Sequence, residues 1–241
     1  MIERETVAGS SPSPTPAPRA TIVVPAFNEE DGLPVVLRKL LAVVDDSFEV
    51  LVVDDGSTDR TAAVADDFPC RLVRHERNRG KGEALKTGIE QARAPVVIWM
   101  DADDTYPPDA IPALADALAH DYDLVYASRQ TGREQIPLFN RLGNALFSYS
   151  VRYLYGFKPM DPCTGLCGVR RDALLRMDLQ ADRFAIEVEV AMKAGRMKLR
   201  MLDYPIPYGE RIGEAKLRGV PDGIDIGLTI LKLLFWRPKS R

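Results

Sequence analysis

From Thr21 onward, short β-branched runs alternate with stretches of helical spacing. Thr21–Val24, Glu49–Val53, Leu72–Val73 and Pro95–Met100 read as strands, and Leu33–Val44, Asp59–Phe68 and Gly82–Ala92 as helices. Near-continuous apolar strands separated by helices predict an α/β fold with a mostly parallel sheet covered on both faces. In such sheets ligands bind at the carboxyl ends of the strands. Those ends are acidic: Asn28-Glu29-Glu30 after the first strand, Asp54-Asp55 after the second, and Asp101-Ala102-Asp103-Asp104 after the fourth. Carboxylates on one rim repel one another unless cations or donor groups stand beside them.

The flanks differ from this core. Residues 1–19 include SSPSPTPAP and read as a disordered leader, residues 20–222 as the folded domain, and 223–241 as an amphipathic basic helix and tail. The fourteen residues 223–236 would span about 21 Å as a helix, short of the roughly 30 Å hydrocarbon core, so the tail predicts a peripheral helix. A closing helix packed on the domain or at a dimer interface is the competing reading.

The chain has 241 residues and a formal net charge of −3, with 46% hydrophobic and 28% charged residues, a globular composition. From Lys193 to the end, 11 basic face 5 acidic residues, whereas residues 1–192 carry 21 basic and 30 acidic. A basic tail on an acidic body argues against general nucleic-acid binding and allows contact with an anionic membrane or a phosphorylated ligand. No secretory signal is evident, and Cys70, Cys163 and Cys167 form neither a disulfide framework nor a zinc site, so a cytoplasmic location is expected.

Asp101 and Asp103 follow an extended strand, where hard oxygen ligands at short spacing suit Mg²⁺ or Mn²⁺ and leave room for phosphate oxygens. Such an ion would neutralise the charge of a departing nucleoside diphosphate. NRGKGEAL (78–85) lacks the spacing and Ser/Thr of a Walker loop. Gly80 and Gly82 instead predict a turn into a helix, with Lys81 near the diphosphate.

In order and spacing, PAFNEE (25–30), VVDDGSTDRT (52–61), NRGKGEAL and WMDADDTYPP (99–108) resemble glycosyltransferase family 2, which has a GT-A fold. The later segments YASRQ, PLFNRLGNALFS, DPCTGLCGVRRDAL and PYGERIGEAKL resemble its dolichyl- and polyprenyl-phosphate mannose and glucose synthases. The resemblance implies inverting transfer of a hexose from a nucleotide sugar to a lipid phosphate on the cytoplasmic face of a membrane. It assigns Pro25, Phe27 and Glu29 to the nucleotide pocket, and Asp54 and Asp55 to the base and ribose side. Asp101, Ala102 and Asp103 fall at the metal diphosphate, with Thr105 as a further oxygen. Arg129 and Arg141 would meet the acceptor phosphate, and Arg211 and Lys216 lie in a segment that closes over the diphosphate. Thr105, Ala145 and Ala215 stand where relatives often carry Gln, Ser and Ser; these departures bear on the acceptor and the sugar.

A phosphate monoester is largely dianionic at neutral pH, its second pKa being about 6, so no essential general base is expected. Glu187 and Glu189 in DRFAIEVEVAM (182–192) are the rival candidates for a base, and a structural role in holding the acceptor loop is the other reading. Spaced by two on a helix, they would point to different faces. Two alternatives remain: transfer to a hydroxyl of a soluble acceptor, which would need a base, and a nonenzymatic nucleotide-sugar-binding protein. A homo-oligomer is compatible with either.

Overall fold

The computed structural model describes residues 17–131, 161, 163–214, 216 and 219–238. Along the chain the elements are β1 (Ala20–Ala26), α1 (Leu33–Val43), β2 (Phe48–Asp54), α2 (Thr61–Asp66), β3 (Arg71–Arg74), α3 (Lys81–Gln91) and β4 (Val96–Trp99). After a short 3-10 turn (Pro108–Ala110) come α4 (Ile111–His120), β5 (Leu124–Thr131), β6 (Cys167–Arg170), α5 (Arg171–Met177), α6 (Ile186–Arg196), β7 (Met201–Pro207) and α7 (Gly219–Leu233). The expected strands and helices of the first hundred residues all form. The last helix starts at Gly219, within the stretch expected to belong to the domain. Arg141 and the first sixteen residues of the expected leader lie outside the described residues.

Seven described strands form one sheet in the order β3-β2-β1-β4-β6-β5-β7. Strands β1 to β4 pair in parallel, as do β5 and β7. Strand β6 runs antiparallel to both neighbours, β4 and β5. Asp161 and residues 163–166, which lead into β6, therefore reach the same rim as the carboxyl ends of the other strands. This reversal brings residues from the second half of the chain to the acidic rim built by the first half.

Each face of the sheet carries its own apolar layer. Helix α1 presents Leu33, Val36, Leu37 and Leu40, and α4 presents Ile111, Leu114, Ala115 and Leu118, the same i, i+3, i+4, i+7 stripe. Both cover the side formed by Ile22, Val24, Val50, Val52 and Ile98. The opposite side, with Val23, Leu51, Val53, Val97 and Trp99, lies under α3, α5 and α6. Burying each large side chain stabilises the fold by about 1.5–3 kcal/mol.

Helix α3 lies so close to β1 that a Cβ at Gly88 would stand 2.3 Å from Val23 Cγ1. Gly88→Val should lower stability by about 1–3 kcal/mol, because a packed strand cannot retreat without strain elsewhere. Urea unfolding measures this, and an unchanged midpoint would contradict the close approach.

Candidate active site

Two loops at the carboxyl ends of β1 and β2 are bonded into one platform. Asn28, at φ 51°, donates its backbone N–H to Ser57 Oγ (2.9 Å) and accepts from Thr58 N at Oδ1 (2.9 Å). Glu29 N donates to Thr61 Oγ1 (2.8 Å), Glu30 N to Asp59 Oδ2 (3.2 Å), and Arg60 N to Glu30 Oε2 (3.0 Å). Asp59 also accepts from Thr61 N (2.9 Å), so it caps the start of α2. These short polar residues satisfy backbone groups that the ending strands leave unpaired. Pro25 and Phe27, half-buried, sit at the edge of this platform.

Asp54 and Asp55 lie beneath it, 0% and 2% exposed. Asp54 Oδ1 accepts from Ser57 N (2.9 Å), and Oδ2 faces Arg74 Nε at 3.0 Å. Asp55 is engaged by His75 Nδ1 (2.6 Å), Arg79 N (2.9 Å) and Gly80 N (2.7 Å). The resemblance assigns this pair to the base and ribose; in the structure both carboxylates also bond within the chain, and Asp54 Oδ2, though beside Arg74, has no hydrogen bond among the described residues. They hold the loops that frame the site, and Asp55 also anchors the turn into α3. Residue pattern did not single out His75, whose other nitrogen reaches Thr87 Oγ1 at 3.0 Å.

That turn delivers Lys81. Gly80 has φ 100°, open to glycine at little cost, and Lys81 is the first residue of α3. Lys81 Nζ lies 2.7 Å from Asp101 Oδ1 and 2.6 Å from Glu187 Oε1. Burial opposes its charge, but the two carboxylates outweigh that and hold the ammonium above its usual range. Glu187, 7% exposed, is shifted up by burial against the opposing pull of Lys81, and its Oε2 has no hydrogen-bond partner among the described residues. A Cβ at Gly165 would fall 2.1 Å from Asp101 Oδ2, so only glycine leaves room for that carboxylate.

Asp103 is 2% exposed and accepts at Oδ1 from Thr105 N (3.1 Å) and Thr105 Oγ1 (2.6 Å). Thr105 thus orients Asp103 through its hydroxyl hydrogen, which leaves the hydroxyl oxygen's lone pairs available. Arg211 Nη1 pairs with Asp103 Oδ2. Burial, then Asp101, raises the Asp103 carboxyl, with Arg211 and Thr105 opposing. Ala102 is buried, its carbonyl against Gly32, where a Cβ would stand 2.5 Å away.

The segment after β7 folds back over this rim. Gly209 N donates to Thr105 O (2.9 Å), Ile212 N to Asp103 O (2.9 Å), and Lys216 Nζ to Asn28 O (3.0 Å). Lys216 Nζ is 4.0 Å from Glu29 Oε1. Burial pushes the Glu29 carboxyl up to about 7, Asp103 and Asp101 adding to the rise while Lys216 and Arg211 oppose it.

Arg129, 6% exposed, forms a two-pronged pair with Asp161: Nη2 to Oδ1 at 2.7 Å and Nε to Oδ2. Its Nη2 also donates to Cys163 O at 3.2 Å, and its guanidinium lies 5.2 Å from the centre of the Tyr208 ring. Tyr208 packs edge-on against Tyr106, whose hydroxyl accepts from Gly165 N at 2.6 Å. Asp161, Tyr106 and Tyr208 escaped the sequence reading because nothing in their local pattern marks their partners, which lie far along the chain.

Carboxylates from the ends of β1 and β4 and from α6 thus converge on one rim of the sheet, where Lys81, Arg211 and Lys216 stand beside them. The profile of glycosyl transferase family 2 matches residues 21–177, and the chain belongs to that family; it is a glycosyltransferase. A dolichyl-phosphate hexose transferase of Haloferax volcanii is 33% identical over 213 residues, covering 88% of this chain and 92% of that protein. A dolichol-phosphate mannosyltransferase of Pyrococcus furiosus is 27% identical over 83% of this chain and 60% of its own length. Glucosyl-3-phosphoglycerate synthase of Mycobacterium tuberculosis, solved with Mn²⁺, UDP and phosphoglyceric acid, superposes with a TM-score of 0.72 at 23% identity, covering 92% of this chain and 80% of its own. That likeness establishes the GT-A fold.

The Glu29 shift has a measurable consequence. Its carboxyl keeps the proton to about pH 7 in the folded state against 4.5 ordinarily, so the native state binds more protons in that window. Stability of the metal-free protein should therefore fall as pH rises from about 4.5 to 7, and Glu29→Gln should flatten the fall. Urea midpoints across this range decide it; an equal slope in the variant would refute the assignment.

Proposed function

We propose that the enzyme transfers a hexose from a nucleotide sugar to a polyprenyl phosphate. The observation that carries this reading is the 33% identity to a dolichyl-phosphate hexose transferase along nearly that protein's whole length. The site chemistry supports it: Lys81, Arg211 and Lys216 stand beside the rim carboxylates, where a diphosphate would need positive charge, and Glu187, the candidate base, is tied to Lys81.

The donor set suits a divalent ion. Asp101 and Asp103 supply hard oxygens, and among the described residues no three His, Cys, Asp or Glu side chains group to hold a metal. Held by these two carboxylates, Mg²⁺ or Mn²⁺ would have its remaining positions open to diphosphate oxygens and water. When bound, the ion supplies charge neutralisation for the departing diphosphate. Lys81, Arg211 and Lys216 add fixed positive charge there, and Arg211 and Lys216 belong to a segment that also shields the rim from water. Pro25, Phe27 and Glu29 border the nucleotide, with Asp54 and Asp55 bracing their loops from below.

Arg129, held in a fixed plane by Asp161, would together with Arg141 offer guanidinium donors to the acceptor phosphate. One acceptor oxygen forms the new bond to the anomeric carbon while the bond from that carbon to the diphosphate breaks, with inversion. The oxygen is already ionised, so no proton need be removed. Glu187 then serves to charge and aim Lys81.

Helix α7 supports a membrane-facing role. Ile224, Leu228, Leu231 and Phe235 are 59%, 51%, 59% and 86% exposed, a single stripe at i, i+4, i+7, i+11. The opposite face packs Ile226, Ile230, Leu233 and Trp236 on the domain. No described helix is long and apolar enough to cross a membrane. A peripheral helix with Lys232 and Arg237 at the lipid surface fits this arrangement.

A panel of GDP-mannose, UDP-glucose and related donors, with Mn²⁺ and a polyprenyl phosphate, tests the reading through labelled lipid extracted into organic solvent. Product is expected, with kcat/KM reduced at least about 100-fold by Asp103→Asn. Nucleotide release without lipid product would instead favour a soluble acceptor. Glu187→Gln should raise donor KM and leave the pH–rate profile unshifted; a kcat loss of about 10²–10⁴ with loss of the acidic limb would establish a base. Replacing Ile224, Leu228, Leu231 and Phe235 together by Ser should reduce sedimentation with anionic vesicles while nucleotide binding persists. Undiminished sedimentation would exclude the stripe as the docking face.

A further inference from the structure

Helix α6 contains a second buried carboxylate that the transfer chemistry does not use. Glu189 is 2% exposed and Lys193, one turn on, is 1% exposed, with Nζ 2.5 Å from Glu189 Oε1. Glu189 Oε2 accepts from Gln180 N (2.9 Å) and Ala181 N (2.7 Å), and Oε1 from Gln180 N (3.0 Å). Lys193 Nζ donates to Asp178 O (2.8 Å). The pair therefore grips the backbone of residues 178–181 just after α5, where Asp178 turns through φ 53°.

That gripped segment is the back wall of the Lys81 turn. Cβ atoms at Gly80 and Gly82 would stand 2.4 Å from Asp182 O and 2.3 Å from Ala181 O. Glu83 N donates to Asp182 O (3.2 Å), and Lys86 Nζ pairs with Asp182 at 2.8 Å. Asp55 holds the same turn from the front through Arg79 N and Gly80 N. Lys81 thus leaves a turn clamped on both sides, and Glu187 on the same helix meets its ammonium directly. From the far side the turn that follows α7 closes the arrangement, with the Trp236 ring 5.0 Å from Lys193 Nζ and Leu234 O accepting from Arg196.

We infer that Glu189 and Lys193 are positioning residues for the donor site, holding Lys81 at the diphosphate through the 178–182 backbone. A buried ion pair is a poor device for stability alone, since apolar replacements of similar volume are often neutral or better. What this pair supplies beyond stability is directed bonding to three backbone groups of a segment without regular structure. The inference rests on the donor-side role proposed for Lys81.

The test uses the full chain and the double variant Glu189→Gln with Lys193→Met, which leaves no unpaired buried charge. Leu114→Ala on α4, in the apolar layer on the opposite face of the sheet, serves as a control for general destabilisation. Hydrogen exchange at the Gly80–Leu85 amides should be at least about tenfold faster in the double variant and unchanged in the control. Affinity for UDP or GDP with Mn²⁺ should weaken about tenfold in the double variant alone. Unaltered exchange and affinity beside a lowered Tm would overturn the inference and leave the pair a structural one. Lys81→Met separates the two levels: if it weakens nucleotide binding while the double variant does not, the positioning role fails and the donor reading stands. If Lys81→Met has no effect, the donor role of Lys81 falls, and the inference with it.

Discussion

The structure is organised around a concentration of negative charge that the sheet cannot avoid making. Strand ends deliver Glu29, Asp101 and Asp103 to one rim, and α6 adds Glu187 from below. Burial and mutual repulsion raise Glu29 and Asp103 above the usual carboxylate range, and burial raises Glu187. Three cationic side chains from distant parts of the chain answer them: Lys81, Arg211 and Lys216. A site assembled on this balance is suited to exchanging one set of counter-charges for another, as donor binding with a divalent ion requires.

The remaining polar residues of the rim mostly serve the backbone. Asn28, Ser57, Thr58, Asp59 and Thr61 tie the first two loops together, while Asp54 and Asp55 brace them from below. Such loops have no ladder partners of their own, and unpaired buried amides are costly. Much of the acidity in the motifs is therefore also engaged in holding backbone groups of the rim loops. Arg129 illustrates the same economy elsewhere on the rim, where Asp161 and Tyr208 fix a guanidinium that would otherwise sample many rotamers.

Helix α7 joins two environments. Its inner face packs against α6 and ends with Trp236 over Lys193, and its outer face leaves a row of large apolar side chains exposed. The inner face is that of a helix packed on the domain, and the proposed membrane contact rests on the exposed outer row alone.

The alternation of apolar strands and helices, the acidic strand ends and the order of four motifs were legible in the residues, because each is a local pattern with a fixed period or spacing. The i, i+3, i+4, i+7 stripe that fixes α1 is complete within Leu33–Leu40. The reversal of β6 was not legible: strand direction depends on which partner is reached, and Cys167–Arg170 would look the same in either sense. Nor were the pairings of Arg129 with Asp161, Lys81 with Glu187 and Glu189 with the 180–181 backbone. A charged side chain carries no mark of its partner along the chain, and these partners meet only after the sheet has closed and burial has made each unpaired charge too costly to leave alone.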